Sequence, residues 1–192
     1  MLITVTGGSG SGKSEFAENL LLKLDGDEPG DRVYVATMEP FGEEAARRVK
    51  RHRRMRGGKG FETVECYRNL KGLSLPESVG KRPSVLLECM SNLAANELYG
   101  GADRFPDGEE ALKLAAERAE LEILSGVERL LGQAGRLIVV TNDVFSDGIS
   151  YDASTERYLA LLGAVNRRLA ALSDIFVEVV CSIPLYLKGG PL

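Results

Sequence analysis

Histidine is almost missing from this 192-residue chain; His52 is the one copy. Cysteine is scarce too. Cys66, Cys89 and Cys181 are far apart and form no C-x-x-C pair. So few soft ligands argue against a zinc site and give no disulfide framework, and the thiols read as reduced groups of a cytoplasmic protein. There is no run of about 18 apolar residues, which excludes a transmembrane helix. The N-terminus enters an apolar stretch directly, with neither a basic segment nor a cleavage site, so no signal peptide is expected. The net charge of −4 argues against wholesale binding to nucleic acid or an anionic membrane, and leaves room for a local basic site. The tetrapeptide pattern N-K-x-D is absent, which argues against a switch-type GTPase. No internal repeat or low-complexity segment interrupts the chain.

Apolar residues make up 44% of the chain and charged residues 27%, ordinary for a globular protein. The length predicts a single domain over residues 1–192. The organising stretch is Gly7-Gly8-Ser9-Gly10-Ser11-Gly12-Lys13-Ser14. It fits G-x-x-x-x-G-K-[ST], the phosphate-binding loop. Glycines let the backbone turn tightly and aim its N–H groups at phosphate oxygens. Lys13 is placed to meet the β/γ-phosphates and Ser14 to hold Mg²⁺. The context agrees. Residues 1–6 (MLITVT) read as a buried strand, and residues 15–24 have apolar positions at helical spacing. A helix N-terminus behind the loop adds partial positive charge.

Further strands are predicted over 32–38, 61–66, 84–89, 136–141 and 174–181, and helices over 43–56, 90–98, 109–131 and 153–172. Residues 67–83 read as a short helix and a loop, and residues 182–192 as a tail. Strands alternating with helices predict an α/β fold around a mainly parallel sheet. Ligands of such sheets bind beyond the strand C-terminal ends. The phosphate loop, Thr37-Met38, Glu88 and Asn142-Asp143 all fall there.

The segment around His52 is densely basic, with Arg47, Arg48, Lys50, Arg51, Arg53, Arg54 and Arg56. On a helix Arg48 and Arg56 flank His52 on one face. Cationic neighbours keep the imidazole neutral, and a neutral imidazole can act as a nucleophile toward a phosphorus. The guanidiniums suit a triphosphate and a departing pyrophosphate. The plainer reading is a solvated face, since Glu43–Arg47 and Glu44–Arg48 are i,i+4 pairs; taken alone, the residues favour it. A nucleic-acid patch is a third reading, with no interleaved aromatics to support it. Glu88 ends an apolar strand, as does an acid that reaches Mg²⁺ or polarises an attacking hydroxyl. Glu65 reads equally as a site residue or a surface charge.

Taken together these stretches resemble the bifunctional adenosylcobinamide kinase/adenosylcobinamide-phosphate guanylyltransferase family. The resemblance rests on TGGSGSGKS at 6–14, YVATM at 34–38, RVKRHRRMR at 48–56, ETVEC at 62–66, VLLECMSNL at 85–93, VVTNDV at 139–144, VNRRLAALSD at 165–174 and IPLYLK at 183–188. It implies a P-loop, RecA-like three-layer sandwich. It also implies that ATP or GTP phosphorylates adenosylcobinamide, and that GMP then passes from GTP to that phosphate through His52, with Mg²⁺. The implied nucleotide contacts are Gly7 through Ser14, Ala36, Thr37, Met38, Arg53, Arg54, Met55, Arg56, Glu65 and Glu88, and the implied assembly is a homotrimer. The chain departs from the usual pattern at DVFSDGISYD after VVTN. After His52 the pattern's tryptophan is missing and one residue is added. A P-loop kinase for another small alcohol, and a nucleic-acid-binding ATPase module, are the rival readings.

Overall fold

The computed structural model describes residues 1–26, 31–40, 42, 58–100, 106, 108–145 and 148–192. Seven strands form one sheet: β1 (Leu2–Thr6), β2 (Arg32–Ala36), β3 (Phe61–Glu65), β4 (Ser84–Glu88), β5 (Arg136–Val140), β6 (Ile175–Val180) and β7 (Ile183–Lys188). Their order is β3-β2-β4-β5-β1-β6-β7. All neighbours are parallel except β6 and β7, which are antiparallel. β1, β4 and β5 are covered on both faces, which explains their nearly unbroken apolar sequences.

The described helices are α1 (Lys13–Asp25), α2 (Met90–Tyr99), α3 (Glu109–Gln133) and α4 (Ala153–Leu172). α1 covers one face of the sheet, where Ala17 and Leu21 meet Ile3, Val5, Val140 and Val177. The other three cover the opposite face, burying Leu93, Ile123 and Leu162 against Leu2, Val85, Leu87 and Leu137. In α3 the buried positions Leu112, Ala116, Ala119, Ile123, Val127 and Leu130 recur every three or four residues, one stripe of a helix. Asp152 begins α4 by accepting from the backbone N–H groups of Ser154 and Thr155. The result is the three-layer, mainly parallel sandwich expected from the sequence.

Two expectations change and one holds. The second strand stops at Ala36, not Met38. Residues 67–83 hold a short helix and a loop as expected, the helix being a single 3-10 turn at Leu70–Gly72. The expected tail is instead β7, a hairpin partner of β6. Pro184 is tolerated there because β7 is an edge strand, where a missing N–H breaks no ladder. The basic segment that holds His52, Arg53, Arg54, Met55 and Arg56 lies outside the described residues.

Candidate active site

β1 runs into the glycine loop at Gly7, and α1 leaves it at Lys13. The turn depends on glycine at two places. Gly12 has φ +91°, and a Cβ there would stand 2.6 Å from Ser182 Oγ. At Gly7 a Cβ would stand 2.5 Å from the Val179 carbonyl oxygen. The loop is held from both sides. On one, the Asp143 N–H beyond β5 donates to the Gly7 carbonyl at 3.1 Å; on the other, the Ser182 N–H donates to the Ser11 carbonyl at 2.8 Å. Gly8, Ser9 and Gly10 remain exposed, so the outer lip of the loop is open.

Lys13 folds over this loop, and its Nζ donates to the Gly8 carbonyl at 2.9 Å. Burial lowers the ammonium's pKa, while nearby Cys89 and Glu88 push it the other way. One residue on, the Ser14 hydroxyl donates to Glu88 Oε1. Tyr34 Oη donates to the other carboxylate oxygen of Glu88 at 3.0 Å. Glu88 is the last residue of β4, and β5 lies between β4 and the loop strand β1. The sheet therefore brings together the three residues that the sequence singled out for phosphate and metal chemistry.

The donor set fits Mg²⁺. A hydroxyl and a carboxylate in contact are both oxygen ligands. Among the described residues no group of three or more His, Cys, Asp or Glu is placed to cage a metal. Mg²⁺ is ordinarily held in this way, by one or two protein oxygens together with substrate phosphates.

The ends of β2 and β3 adjoin this cluster. In register, Ala36 sits opposite Glu88 on one side and Glu65 on the other. The Thr37 N–H donates to the Glu88 carbonyl at 3.0 Å. Thr37 Oγ1 donates to the Cys89 carbonyl at 2.7 Å. Asn96 of α2 donates to the carbonyls of Thr37 and Tyr67, both at 2.9 Å. Met38 is half-buried beside Thr37. Glu65 accepts from Tyr67 Oη at 2.8 Å and lies at the surface.

Most of a polar network behind the site escaped sequence reasoning. Asn142 Nδ2 donates to Ser91 Oγ at 2.6 Å, and Ser91 Oγ lies 3.0 Å from Cys89 Sγ. Asn166 of α4 accepts from Thr141 Oγ1 at 2.7 Å and donates to the Asn142 carbonyl at 3.2 Å. Tyr158 Oη donates to the Ser91 carbonyl at 3.3 Å. This network pins the exit of β5, whose Asp143 N–H grips the loop. Burial raises the pKa of Cys89, which suits a packing role for this thiol. Position just past a strand end was the available signal; it pointed to Asn142 but not to Asn166 or Ser91.

Known proteins share both the fold and the sequence. An ATPase from the type III secretion system of pathogenic bacteria superposes with a TM-score of 0.53 at 14% identity, over 92% of this chain and 50% of that one. That likeness is one of fold, the RecA-like P-loop sandwich. In sequence, the bifunctional adenosylcobalamin biosynthesis protein CobU of Salmonella typhimurium strain LT2 is 33% identical over 194 residues, covering 98% of this chain and 100% of that protein. The Escherichia coli K12 protein of the same name is 31% identical over 189 residues, with 98% and 100% covered. The model of one family, described as cobinamide kinase / cobinamide phosphate guanyltransferase, matches residues 3–187. That span runs from the loop strand β1 to the edge strand β7 and takes in every residue of the cluster just described, so the chain belongs to the cobinamide kinase / cobinamide phosphate guanyltransferase family.

Proposed function

We propose that this chain performs both reactions of its family. It phosphorylates the free hydroxyl of adenosylcobinamide from ATP or GTP, and then transfers GMP from GTP onto that phosphate. The supporting observation is the meeting of Ser14 with Glu88 beside Lys13, in a chain matched to the family over residues 3–187.

In the kinase step the loop amides and Lys13 hold the triphosphate and neutralise charge building on the β/γ-oxygens. The substrate hydroxyl attacks the γ-phosphorus, its proton passes to solvent water, the bond from the γ-phosphorus to the β-bridging oxygen breaks, and the nucleoside diphosphate departs. Glu88, kept in place by Ser14 and Tyr34, orients the polar groups at that point. Ser14 and Glu88 would hold Mg²⁺, which supplies Lewis-acid charge to phosphate oxygens when bound.

In the transfer step an imidazole nitrogen of His52 attacks the α-phosphorus of GTP and pyrophosphate leaves. A phosphate oxygen of adenosylcobinamide phosphate then attacks the same phosphorus. The P–N bond breaks and His52 is restored. Arg53, Arg54 and Arg56, with Met55 among them, form the cationic surroundings of the pyrophosphate. Glu65, Ala36, Thr37 and Met38 border the guanosine. We further infer a cytoplasmic homotrimer from the family resemblance, and sedimentation velocity of the purified protein tests the assembly.

Incubation with GTP radiolabelled at its α-phosphorus tests the transfer half. Wild-type protein takes up an acid-labile, alkali-stable label, and His52→Ala takes up none. A wild-type protein that stays unlabelled sinks the transferase reading.

A further inference from the structure

A groove of about 380 Å³ runs between the outer face of α1 and β7. That is the lower range of small-molecule sites. Gly12 and Ser182 form its end at the phosphate loop. Phe16 and Leu20, one turn apart on α1, give it an apolar wall, Tyr186 of β7 gives it an aromatic side chain, and Asn19 stands at its rim. Away from the loop, Lys23 Nζ bridges to the Leu192 carbonyl at 2.6 Å. The groove thus begins where the triphosphate grip ends, and none of Phe16, Asn19 or Tyr186 belongs to the Ser14–Glu88 cluster.

The nucleotide contacts expected at Ala36, Thr37, Met38 and Glu65 lie on the other flank. In the sheet order β2 and β7 are five strand spacings apart, with the loop strand β1 between them. At about 4.8 Å per spacing that is on the order of 24 Å. A single nucleoside attached to phosphates on this loop does not occupy both flanks at once. Two nucleosides, bound in turn, do.

We propose that the phosphate loop serves two nucleoside subsites, and that the groove between α1 and β7 takes the purine nucleoside of the phosphate donor in the kinase step. The guanosine of the transfer step belongs to the β2–β3 flank. The inference rests on the two-reaction reading above. The groove matches the donor's needs. Only the γ-phosphate of the donor reacts, so its base needs holding rather than presentation to a nucleophile. Aromatic and apolar walls bind the face of either purine, and the Asn19 amide both donates and accepts. The ligand class is therefore a purine nucleoside triphosphate, ATP or GTP.

The test uses full-length wild type, Tyr186→Ala, and Asn19→Trp, which fills the groove from an exposed helix position without touching the core. Kinase rates are measured with ATP and with GTP, His52 labelling with GTP, and binding of ATP, GTP and inorganic triphosphate by calorimetry. Both variants are expected to raise the donor KM in the kinase step about tenfold. The GTP dependence of labelling and the affinity for inorganic triphosphate stay at wild-type values. The kinase arm with the larger KM change identifies the donor. Equal losses in both reactions mean one shared subsite and overturn the proposal; no loss in either also overturns it. An equal loss for inorganic triphosphate shows damage to the loop and overturns it too. A wild type without kinase activity or label defeats the two-reaction reading separately. The nucleotide-versus-triphosphate comparison still judges the groove in that case.

Discussion

The backbone N–H of Ser182 donates to the carbonyl of Ser11 at 2.8 Å, joining the β6–β7 turn to the phosphate loop. The turn is made of Cys181 and Ser182 at φ +50° and +65°. Two successive residues at positive φ form a type I′ hairpin turn, ordinarily a place for Asn-Gly. Here neither is glycine, and the left-handed backbone costs roughly 1 kcal/mol at each. The turn is the loop's wall, and Ser182 also lines the groove beside it.

Replacing Ser182 separates these effects. Ser182→Gly removes the left-handed penalty and keeps the N–H, so it is expected to stabilise the fold by about 1 kcal/mol with triphosphate affinity retained. Ser182→Pro removes the N–H and forces φ negative. Affinity for inorganic triphosphate is expected to fall about tenfold or more, roughly one lost hydrogen bond and a displaced loop. Thermal unfolding and calorimetric titration read the two outcomes.

Gly12→Ala puts a Cβ at φ +91° and 2.6 Å from Ser182 Oγ. Gly7→Ala is worse placed, since its Cβ meets the Val179 carbonyl, a backbone atom, at 2.5 Å. Each is expected to lower stability by about 1–3 kcal/mol and to abolish nucleotide binding. Gly10→Ala has open space around its Cβ and only the φ +73° penalty, so its loss is expected to be the smallest. Urea midpoints across the three rank them.

Glu88→Gln keeps the size of the side chain that Ser14 and Tyr34 hold, removes its charge, and leaves one acceptor oxygen where both hydroxyls now find one, so one of the two bonds must reverse. Kinase turnover is expected to fall about 100-fold or more, with little change in thermal stability. A chelator added to the wild type produces a comparable loss, reversed by excess Mg²⁺. A Glu88→Gln enzyme with wild-type turnover removes Glu88 from the reaction.

Tyr158 gives a pH signature. Its pKa is pushed up from 10.0 to about 12, chiefly by burial and then by the charges of Cys89 and Tyr99. The unfolded chain releases this proton first as pH rises. Stability is therefore undiminished below about pH 10 and declines between pH 10 and 12, by an amount on the order of 2 kcal/mol. Tyr158→Phe removes this slope and lowers stability near neutral pH by about 1 kcal/mol, through loss of the bond to the Ser91 carbonyl. Urea unfolding at stepped alkaline pH measures both.

The phosphate loop was legible because its glycines, lysine and serine are consecutive, and because β1 and α1 around it are strongly patterned. Glu88 was legible as the acid closing an apolar strand. β7 was not. Ile183–Lys188 is short, carries a proline, and becomes a strand only by pairing with β6. Its turn lacked the glycine or asparagine that announces a hairpin. Asn96, Asn166 and Ser91 look in sequence like ordinary helix polar residues. Their roles come from carbonyls and hydroxyls far away along the chain, which no local spacing encodes. Glu65 stayed ambiguous for a similar reason: only the register puts Ala36 between it and Glu88.

The loop strand is first in the chain yet lies inside the sheet, between β5 and β6. Its two clasps, at Asp143 and Ser182, come from the last third of the polypeptide. A nascent chain therefore carries the whole glycine motif long before it owns a working phosphate grip. Competence for nucleotide waits for the β6–β7 hairpin, so ligand binding reports that both distant clasps have closed on the loop.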